Sequence, residues 1–517
     1  MAQNYYITTP IYYVNDKPHI GHAYTTLACD VLARFKRLDG FDVTFLTGTD
    51  EHGQKVEIAA RDKAVSPQSF TDEVSQNFRD LTGQMNFSND DFIRTTEPRH
   101  KLACQEIWRR LQERGHIRLG NYAGWYSVRD EAFFTETEVV DGKAPTGAPV
   151  EWLEEPSYFF NLSHWQQPLL DFYAENPDFV GPESRFNEVK SFVKGGLRDL
   201  SVSRASFKWG IPVPGDPDHV MYVWLDALTN YLTASGWPGD GASGDQKKYE
   251  TLWPADLHMV GKDILRFHAV YWPAFLMAAE LPLPKRVYAH GWWTNEGQKI
   301  SKSLGNVIDP NALTAQYGLD QTRYFLMREV PFGNDGDFSA TAMVHRMNGD
   351  LANDFGNLCQ RVLSMIFKNC DAVMPALPEQ PSAIDTELMT AADRLLDQVR
   401  DMLDRQAFNE ALRCIWQVVA DANRYVDTTA PWALKRTDPK RMAEVLAVLA
   451  ETIRQVAILV QPVMPQSAAL VLDQLGVDSA ARDFRFIAGQ QRLSAGNVIE
   501  KPVPVFPRYQ EEGGADG

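Results

Sequence analysis

Pro18-His19-Ile20-Gly21-His22 stands where a β-branched and aromatic run, residues 4–14, gives way to helical spacing. A helix N-terminus offers unpaired N–H groups and positive partial charge, so phosphate is stabilised there. Two imidazoles beside a glycine can donate hydrogen bonds to phosphate oxygens, and Gly21 has no side chain to keep a flat base off the backbone. A surface loop with two histidines and a tight turn explains the same residues equally well, since H-x-G-H arises by chance in roughly 0.06 chains of this length. Far downstream, Lys299-Ile300-Ser301-Lys302-Ser303-Leu304-Gly305-Asn306 sets two lysines among small hydroxyls on a loop ending in Gly-Asn. Such charge suits departing pyrophosphate, where catalysis is positioning plus electrostatic stabilisation. The competing reading is a solvated lysine loop. K-x-S-K-S has a chance expectation of roughly 0.003 per chain, so the ordered pair of motifs is about a 0.0002 coincidence.

These groups need elements that bring distant segments together. After the first strand, Leu27, Val31, Leu32 and Phe35 form one apolar helical stripe; 41–46 reads as a buried strand and 54–63 as a helix. A βαβα opening predicts a parallel sheet, and strand candidates at 257–260 and 286–289 read as its second half, giving a doubly wound, Rossmann-like α/β fold. Residues 115–214, with short strands, many aromatics and turn residues, read as an insertion between the halves 1–114 and 215–295, and 296–340 carries the lysine loop. Long amphipathic helices are expected at 341–369, 385–403, 406–427, 439–461 and 464–474, with Pro431 starting a short one, so that 341–475 forms a helical bundle. The tail, 476–517, is expected to pack back on the body, with 511–517 disordered.

Composition narrows the classes. Of 517 residues 44% are hydrophobic and 23% charged, ordinary globular usage that excludes wholesale disorder. No run approaches a membrane span, and the first residues lack a basic region before an apolar one, which predicts no membrane partner and a cytoplasmic protein. The five cysteines are scattered without a C-x-x-C pair, against both a disulfide framework and a thiolate zinc knuckle. A net charge of -17 argues against broad non-specific hold on nucleic acid but leaves room for a local basic surface.

His19-Ile20-Gly21-His22 and Lys299-Ile300-Ser301-Lys302-Ser303 resemble the two signature motifs of class I aminoacyl-tRNA synthetases, a superfamily that also holds small nucleotidyltransferases. Thr47-Gly48-Thr49-Asp50-Glu51-His52-Gly53, Tyr222-Val223-Trp224-Leu225-Asp226-Ala227, Gly261-Lys262-Asp263 and His290-Gly291-Trp292-Trp293 are similar, in order, to blocks of the methionyl-tRNA synthetase family. The resemblance covers about 4–475. It implies catalytic roles for His19, His22, Lys299 and Lys302, and an ATP site of His19, Gly21, His22, Asp263, Gly291, Ile300, Ser301 and Lys302. It further implies a methionine pocket of Pro10, Ile11, Tyr13, Asp50, Trp224, Ala227, Tyr231 and His290, in which the Ile11 backbone and the Tyr231 hydroxyl address the sulfur. Polar contact to sulfur matters because an apolar pocket discriminates poorly against an all-carbon isostere. A carboxylate at a strand's carboxyl end can hold an ammonium group; for Asp50 the alternative is an N-cap of helix 54–63. Arg204 and Asp263 are open to a charge pair ordering the site or to a structural salt bridge.

Many family members carry zinc-binding cysteines in the inserted domain. The corresponding positions here are Ser127, Asp130, Ala144 and Gly147, too few donors for a tetrahedral site, so no zinc is expected. Asn357 and Arg361, on one helix face, and Trp432 are by resemblance the anticodon readers, using base stacking and edge hydrogen bonds. On sequence alone the favoured reading of Trp432 is a core residue under a solvated charged face, and Lys435, Arg436, Lys440 and Arg441 form a local basic cluster able to meet phosphate. The implied activity joins L-methionine to its tRNA, the initiator included, through an adenylate made from ATP with Mg2+; another class I enzyme or a non-catalytic tRNA-binding relative are the rivals. With no room after 475 for a further dimerisation module, a monomer is expected.

Overall fold

The computed structural model describes residues 2–14, 17–127, 132–134, 136, 138–239, 244–300, 305–487 and 491–510; the expected disorder at 511–517 lies outside them, as do Ser301, Lys302, Ser303 and Asp130. The chain divides into two compact units, one of residues 4–29 and 43–290, the other of 1–3, 30–42 and 291–517. No helix among the described residues is long and apolar enough to cross a membrane.

The first unit is built on the predicted parallel sheet. Strand Asn4–Thr8 pairs with Leu257–Gly261, which pairs with Val287–His290, which pairs with Val180–Gly181, all parallel. On the other side lie Asp42–Asp50, the two-residue strand Tyr12–Tyr13 and Asp91–Arg94. The run expected as one strand over 4–14 is therefore two, broken where Pro10 can donate no ladder hydrogen bond. Strand Asp42–Asp50 runs four residues beyond the predicted 41–46, and its Gly48 is required because a Cβ there would stand 2.0 Å from the Ile93 carbonyl oxygen of the neighbouring strand. Helix Ile20–Leu38 buries Leu27, Val31, Leu32 and Phe35, as its periodicity dictates, and ends on Lys36 and Arg37, whose charge suits its carboxyl end.

Between the sheet's halves, Ile117–Ser127, Ala132–Phe134, Glu151–Phe160 and Leu200–Ser201 form an antiparallel four-stranded sheet. Helix Val223–Ser235 then returns the chain to the core. Every residue from Leu225 to Ser235 is buried, and Gly236 ends the helix at φ 102°, a left-handed cap suited to glycine.

The second unit carries the long helices. The stretch expected as one helix over 341–369 is α-helical at Ala340–Arg346 and Asn357–Asn369 but π-helical at Met347–Gly356. The wider turns leave main-chain carbonyls to outside donors: Trp416 Nε1 donates to Asp350 at 3.0 Å and Asn423 Nδ2 to Asp354 at 3.0 Å. The predicted 385–403 is two helices, Ala383–Asp393 and Leu395–Asp404, meeting at Arg394. Phe408–Thr429, Pro431–Thr437, Pro439–Val460 and Pro465–Gln474 complete the set. Along the tail the Phe484 ring packs against Phe35, tilted at 55° with centroids 4.7 Å apart, and Val498 bridges to Val373, so the segment packs within this unit, with two one-turn helices at Ser479–Ala481 and Phe484–Phe486. Arg323 and Asp30, both fully buried, form an ion pair whose guanidinium also donates to the carbonyls of Pro462 and Val463.

Two of the buried histidines of the first unit, His258 and His268, pack against the Tyr231 ring. His268 Nδ1 faces the Ile264 carbonyl at 3.0 Å and so carries the proton, leaving Nε2 to accept from the Tyr231 hydroxyl at 2.6 Å. Burial pushes the His268 pKa down to about 4 and that of His258 further below its ordinary value. An unfolded chain binds that proton near pH 6.5, so below this pH the unfolded state holds more protons than the folded one. The stabilising contribution is complete above about pH 6.5 and is lost as pH falls toward 4. Urea unfolding between pH 7.5 and 4.5 should show stability declining with acid, and His268→Gln should lower the proton uptake on unfolding by about one. An unchanged pH slope in the variant would refute the buried neutral histidine.

Candidate active site

In the first unit the parallel strands all end at one edge, where open α/β sheets bind ligands. Tyr13 and Asp50 are cross-strand neighbours there, as are Gly261 and His290. Asp50 is 6% exposed and its main-chain carbonyl accepts from Val14 N–H; helix Gln54–Asp62 is capped by Gly53 with no side-chain bond, which removes the N-cap alternative for Asp50. The segment after it is fixed residue by residue. Glu51, fully buried, accepts from Arg94 at 2.6 Å and Thr96 at 2.5 Å, and its carbonyl accepts from Trp209 Nε1 at 2.6 Å. Gly53, at φ 117°, donates to the Trp209 carbonyl.

The histidine motif opens helix Ile20–Leu38. Gly21 N–H donates to His19 Nδ1 at 3.1 Å, and His19 N–H donates to His22 Nδ1 at 3.1 Å. A backbone donor at Nδ1 directs each ring proton to Nε2, so the two rings, stacked 3.8 Å apart, each carry an Nε2–H donor. A Cβ on Gly21 would stand 2.9 Å from the His19 ring, so glycine is what lets that ring fold over the helix start. Thr25 donates to the Gly21 carbonyl at 3.0 Å and lies 2.7 Å from His290 Nε2, which places His290 against the second turn of this helix. Asp263 follows strand Leu257–Gly261 on a one-turn helix and folds over Gly261, where a Cβ would come within 2.5 Å of its Oδ1.

Helix Val223–Ser235 supplies Trp224, Ala227 and Tyr231 to the same unit. Trp224 stacks on Phe267 with centroids 3.3 Å apart and an interplanar angle of 12°. Tyr231 is buried, its hydroxyl proton given to His268 and its ring 4.1 Å from His258. Pro10 is buried, Ile11 packs on the main core, and Tyr13 is half-buried with Lys55 Nζ 5.5 Å above its ring. Phe267 and His268 were not singled out from sequence, although they follow Gly261-Lys262-Asp263 by one helical turn. Arg204 lies 3.6 Å over the Tyr222 ring, donates to Ser201 and to the Ser203 carbonyl, and stands 3.7 Å from Glu155, an ion partner sequence did not suggest.

In the second unit Gly291 has no room for a side chain, since a Cβ would lie 2.2 Å from the Asn334 carbonyl oxygen. Hairpin strands Trp293–Asn295 and Gln298–Lys299 hold Lys299, exposed and 5.9 Å from the Trp292 ring, and Ile300 is half-buried beyond it. Asn306 donates to the Lys299 carbonyl at 3.1 Å and accepts from Asn295 at 3.0 Å, closing the base of the lysine loop. Ser301 and Lys302 themselves are outside the described residues.

Elsewhere in this unit Asn357 is exposed on helix Asn357–Asn369, and Arg361 of the same helix reaches over Trp432, 5.6 Å from its ring centroid, while standing 3.3 Å from Asp427. Trp432 is 51% exposed, so it is not the core anchor that composition favoured. Lys435, Arg436 and Lys440 are exposed, but Arg441 leaves the expected basic cluster, bound at 2.6 and 2.7 Å to the buried carboxylate of Asp385.

The family profile for class I tRNA synthetases (M) matches residues 5–148 and 144–363, and that for the anticodon binding domain of methionyl tRNA ligase matches 376–516. The methionine--tRNA ligase of Rickettsia felis is 57% identical over 513 residues, 99% of each chain. That of Rhizobium meliloti is 55% identical over 510 residues, 98% of each. Mycobacterium tuberculosis methionyl-tRNA synthetase in complex with methionyl-adenylate superposes with a TM-score of 0.94 at 51% identity, covering 98% of this chain and 100% of that one. Its free form gives 0.89 at 49% identity, over 99% of each chain. With matches along nearly the whole chain, at identities far above what fold alone requires, the chain belongs to the methionyl-tRNA synthetase family of class I aminoacyl-tRNA synthetases.

Proposed function

We infer that the chain ligates L-methionine to its tRNA by way of methionyl-adenylate, and that the sheet edge of the first unit is where the amino acid is activated. The observation carrying this reading is the set of residues gathered at that edge: Asp50 beside Tyr13, His290 beside Gly261, and His19 and His22 held as Nε2–H donors. A methionine carboxylate oxygen attacks the α-phosphorus of ATP, which brings magnesium with it as part of the substrate. The bond to the β-phosphate oxygen breaks, and pyrophosphate leaves with that electron pair. A ribose hydroxyl of the terminal adenosine of tRNA then attacks the carbonyl carbon of the mixed anhydride and AMP departs. No enzyme nucleophile takes part.

Asp50 holds the ammonium group by a charge-assisted bond. Pro10, Ile11, Trp224, Ala227 and Tyr231 surround the thioether, whose polarisable, unbranched chain suits aromatic walls. Tyr231 offers sulfur its oxygen side, because its proton is committed to His268. His19 and His22 donate to phosphate, Gly21 keeps the helix start open to a flat base, and Asp263 and His290 flank the nucleotide. Lys299 and Lys302, with Ile300 and Ser301, offset the charge that grows on pyrophosphate.

The inserted sheet works without zinc. Ala144 and Gly147 offer no donor side chain, and their turn is closed instead by main-chain bonds of 2.8 Å, Gly147 to Ala144 and Ala144 to Ala148. Elemental analysis finding about one tightly held zinc per chain, with charging lost on chelation, would overturn this.

Asn357, Arg361 and Trp432 read the anticodon, a reading supported by the exposure of Asn357 and Trp432 and by the Arg361 guanidinium lying over the Trp432 ring. Amino-acid-dependent pyrophosphate exchange over a panel of amino acids should respond to methionine alone; exchange driven equally by another amino acid would refute the pocket. Trp432→Ala should leave that exchange intact while weakening tRNA charging, since base stacking on an aromatic contributes about 1–3 kcal/mol. It should also blunt discrimination among anticodon variants, because edge contacts carry sequence information. Unchanged charging by the folded variant would sink the anticodon assignment and leave the adenylation site standing.

A further inference from the structure

Asp226 sits in the first turn of helix Val223–Ser235, between Trp224 and Ala227, and is wholly buried. Its two oxygens are taken by two histidines from distant segments: His52 Nδ1 at 2.6 Å from Oδ2 and His100 Nε2 at 2.8 Å from Oδ1. Burial alone would raise the carboxyl pKa, but the charge of His52 and the hydrogen bonds from His100 and His52 hold it far below the ordinary range, so the group stays a carboxylate. Behind His100, Nδ1 faces Thr233 Oγ1 at 3.1 Å and the buried Cys104 Sγ lies 3.2 Å from Nε2. The trio His100, Cys104 and Asp226 has metal-ligand chemistry. Even so, the 2.8 Å between His100 Nε2 and Oδ1 is a hydrogen bond, shorter than the ~3.3 Å at which two donors stand on a tetrahedral zinc.

The segment that His52 belongs to is the one that carries Asp50. Glu51 is locked by Arg94 and Thr96, Gly53 by Trp209, and the His52 ring itself meets Trp209 edge-on at 5.4 Å. The loop is thus held at each residue, and the His52–Asp226 bond ties it directly to the helix bearing Trp224, Ala227 and Tyr231.

We propose that Asp226 is the positioning residue of the methionine pocket: by clamping His52 to the first turn of helix Val223–Ser235 it sets the distance between the ammonium-binding carboxylate of Asp50 and the aromatic wall. The inference rests on the assignment of Asp50 and Trp224 to methionine. A residue that served only folding would weaken the protein and disturb both substrates alike. A positioning residue acts on methionine first, because displacement of binding groups by about 1 Å is enough to cost up to 10²-fold.

Full-length protein and pyrophosphate exchange test this, with KM for methionine and for ATP measured separately. Asp226→Asn removes the charge and one acceptor; KM for methionine should rise about tenfold or more while KM for ATP stays within about twofold. His52→Asn places an amide N–H where the Nδ1–H was and should stay near the parent, whereas His52→Ala should follow Asp226→Asn. The His52 pair also decides the matter if Asp226→Asn fails to fold. An unchanged methionine KM in Asp226→Asn, a parallel rise for both substrates, or His52→Asn behaving like His52→Ala would overturn the clamp. Asp50→Ala serves as the separate control: if it keeps the parent methionine KM, the pocket assignment falls, whatever the clamp variants do.

Discussion

A parallel sheet buried on both faces can present side chains to a ligand only where its strands end. The first unit is organised around that constraint. Strands Asn4–Thr8, Asp42–Asp50, Leu257–Gly261 and Val287–His290 run the same way, so Asp50, Gly261 and His290 finish at one edge although they are separated by up to 240 positions in the chain. Close approach of strand Asp91–Arg94 to Gly48, and the break at Pro10 that starts the short strand Tyr12–Tyr13, bring the edge to its final shape.

Fixing a side chain on such an edge takes hydrogen bonds as well as packing. The histidines illustrate how main-chain groups choose a tautomer. His19 and His22 each accept a backbone N–H at Nδ1, whereas His268 faces the Ile264 carbonyl there, so the first two carry donors at Nε2 and the third an acceptor. The same residue type thereby presents a ring N–H donor in one place and an acceptor for a tyrosine proton in another.

Much of this was legible in the residues. β-branched and aromatic runs and apolar stripes located the strands and helices, because they record which residues suit a pleated surface and which helix face is buried, and the two motifs drew attention through the chemistry of imidazole, glycine and lysine at tight spacing. What escaped had one physical cause: long-range partners leave no trace in local periodicity. His268 reads as an ordinary histidine until Tyr231 meets it, and Asp226 as one acidic residue in an apolar helix until His52 and His100 converge on it. The π-helical stretch Met347–Gly356 was missed for the same reason, since its turns are widened where Trp416 and Asn423 take up main-chain carbonyls from another helix. Trp432 shows the opposite error: type alone favours the core, and only the neighbours reveal a half-exposed ring.

That ring is not bare. The Arg361 guanidinium already lies over it, with Asp427 3.3 Å from one of its nitrogens. A planar cation on an indole face occupies the place where a nucleobase would stack. One face of this indole is therefore already engaged by a cation–π contact, while the residue as a whole keeps half of its surface open to solvent.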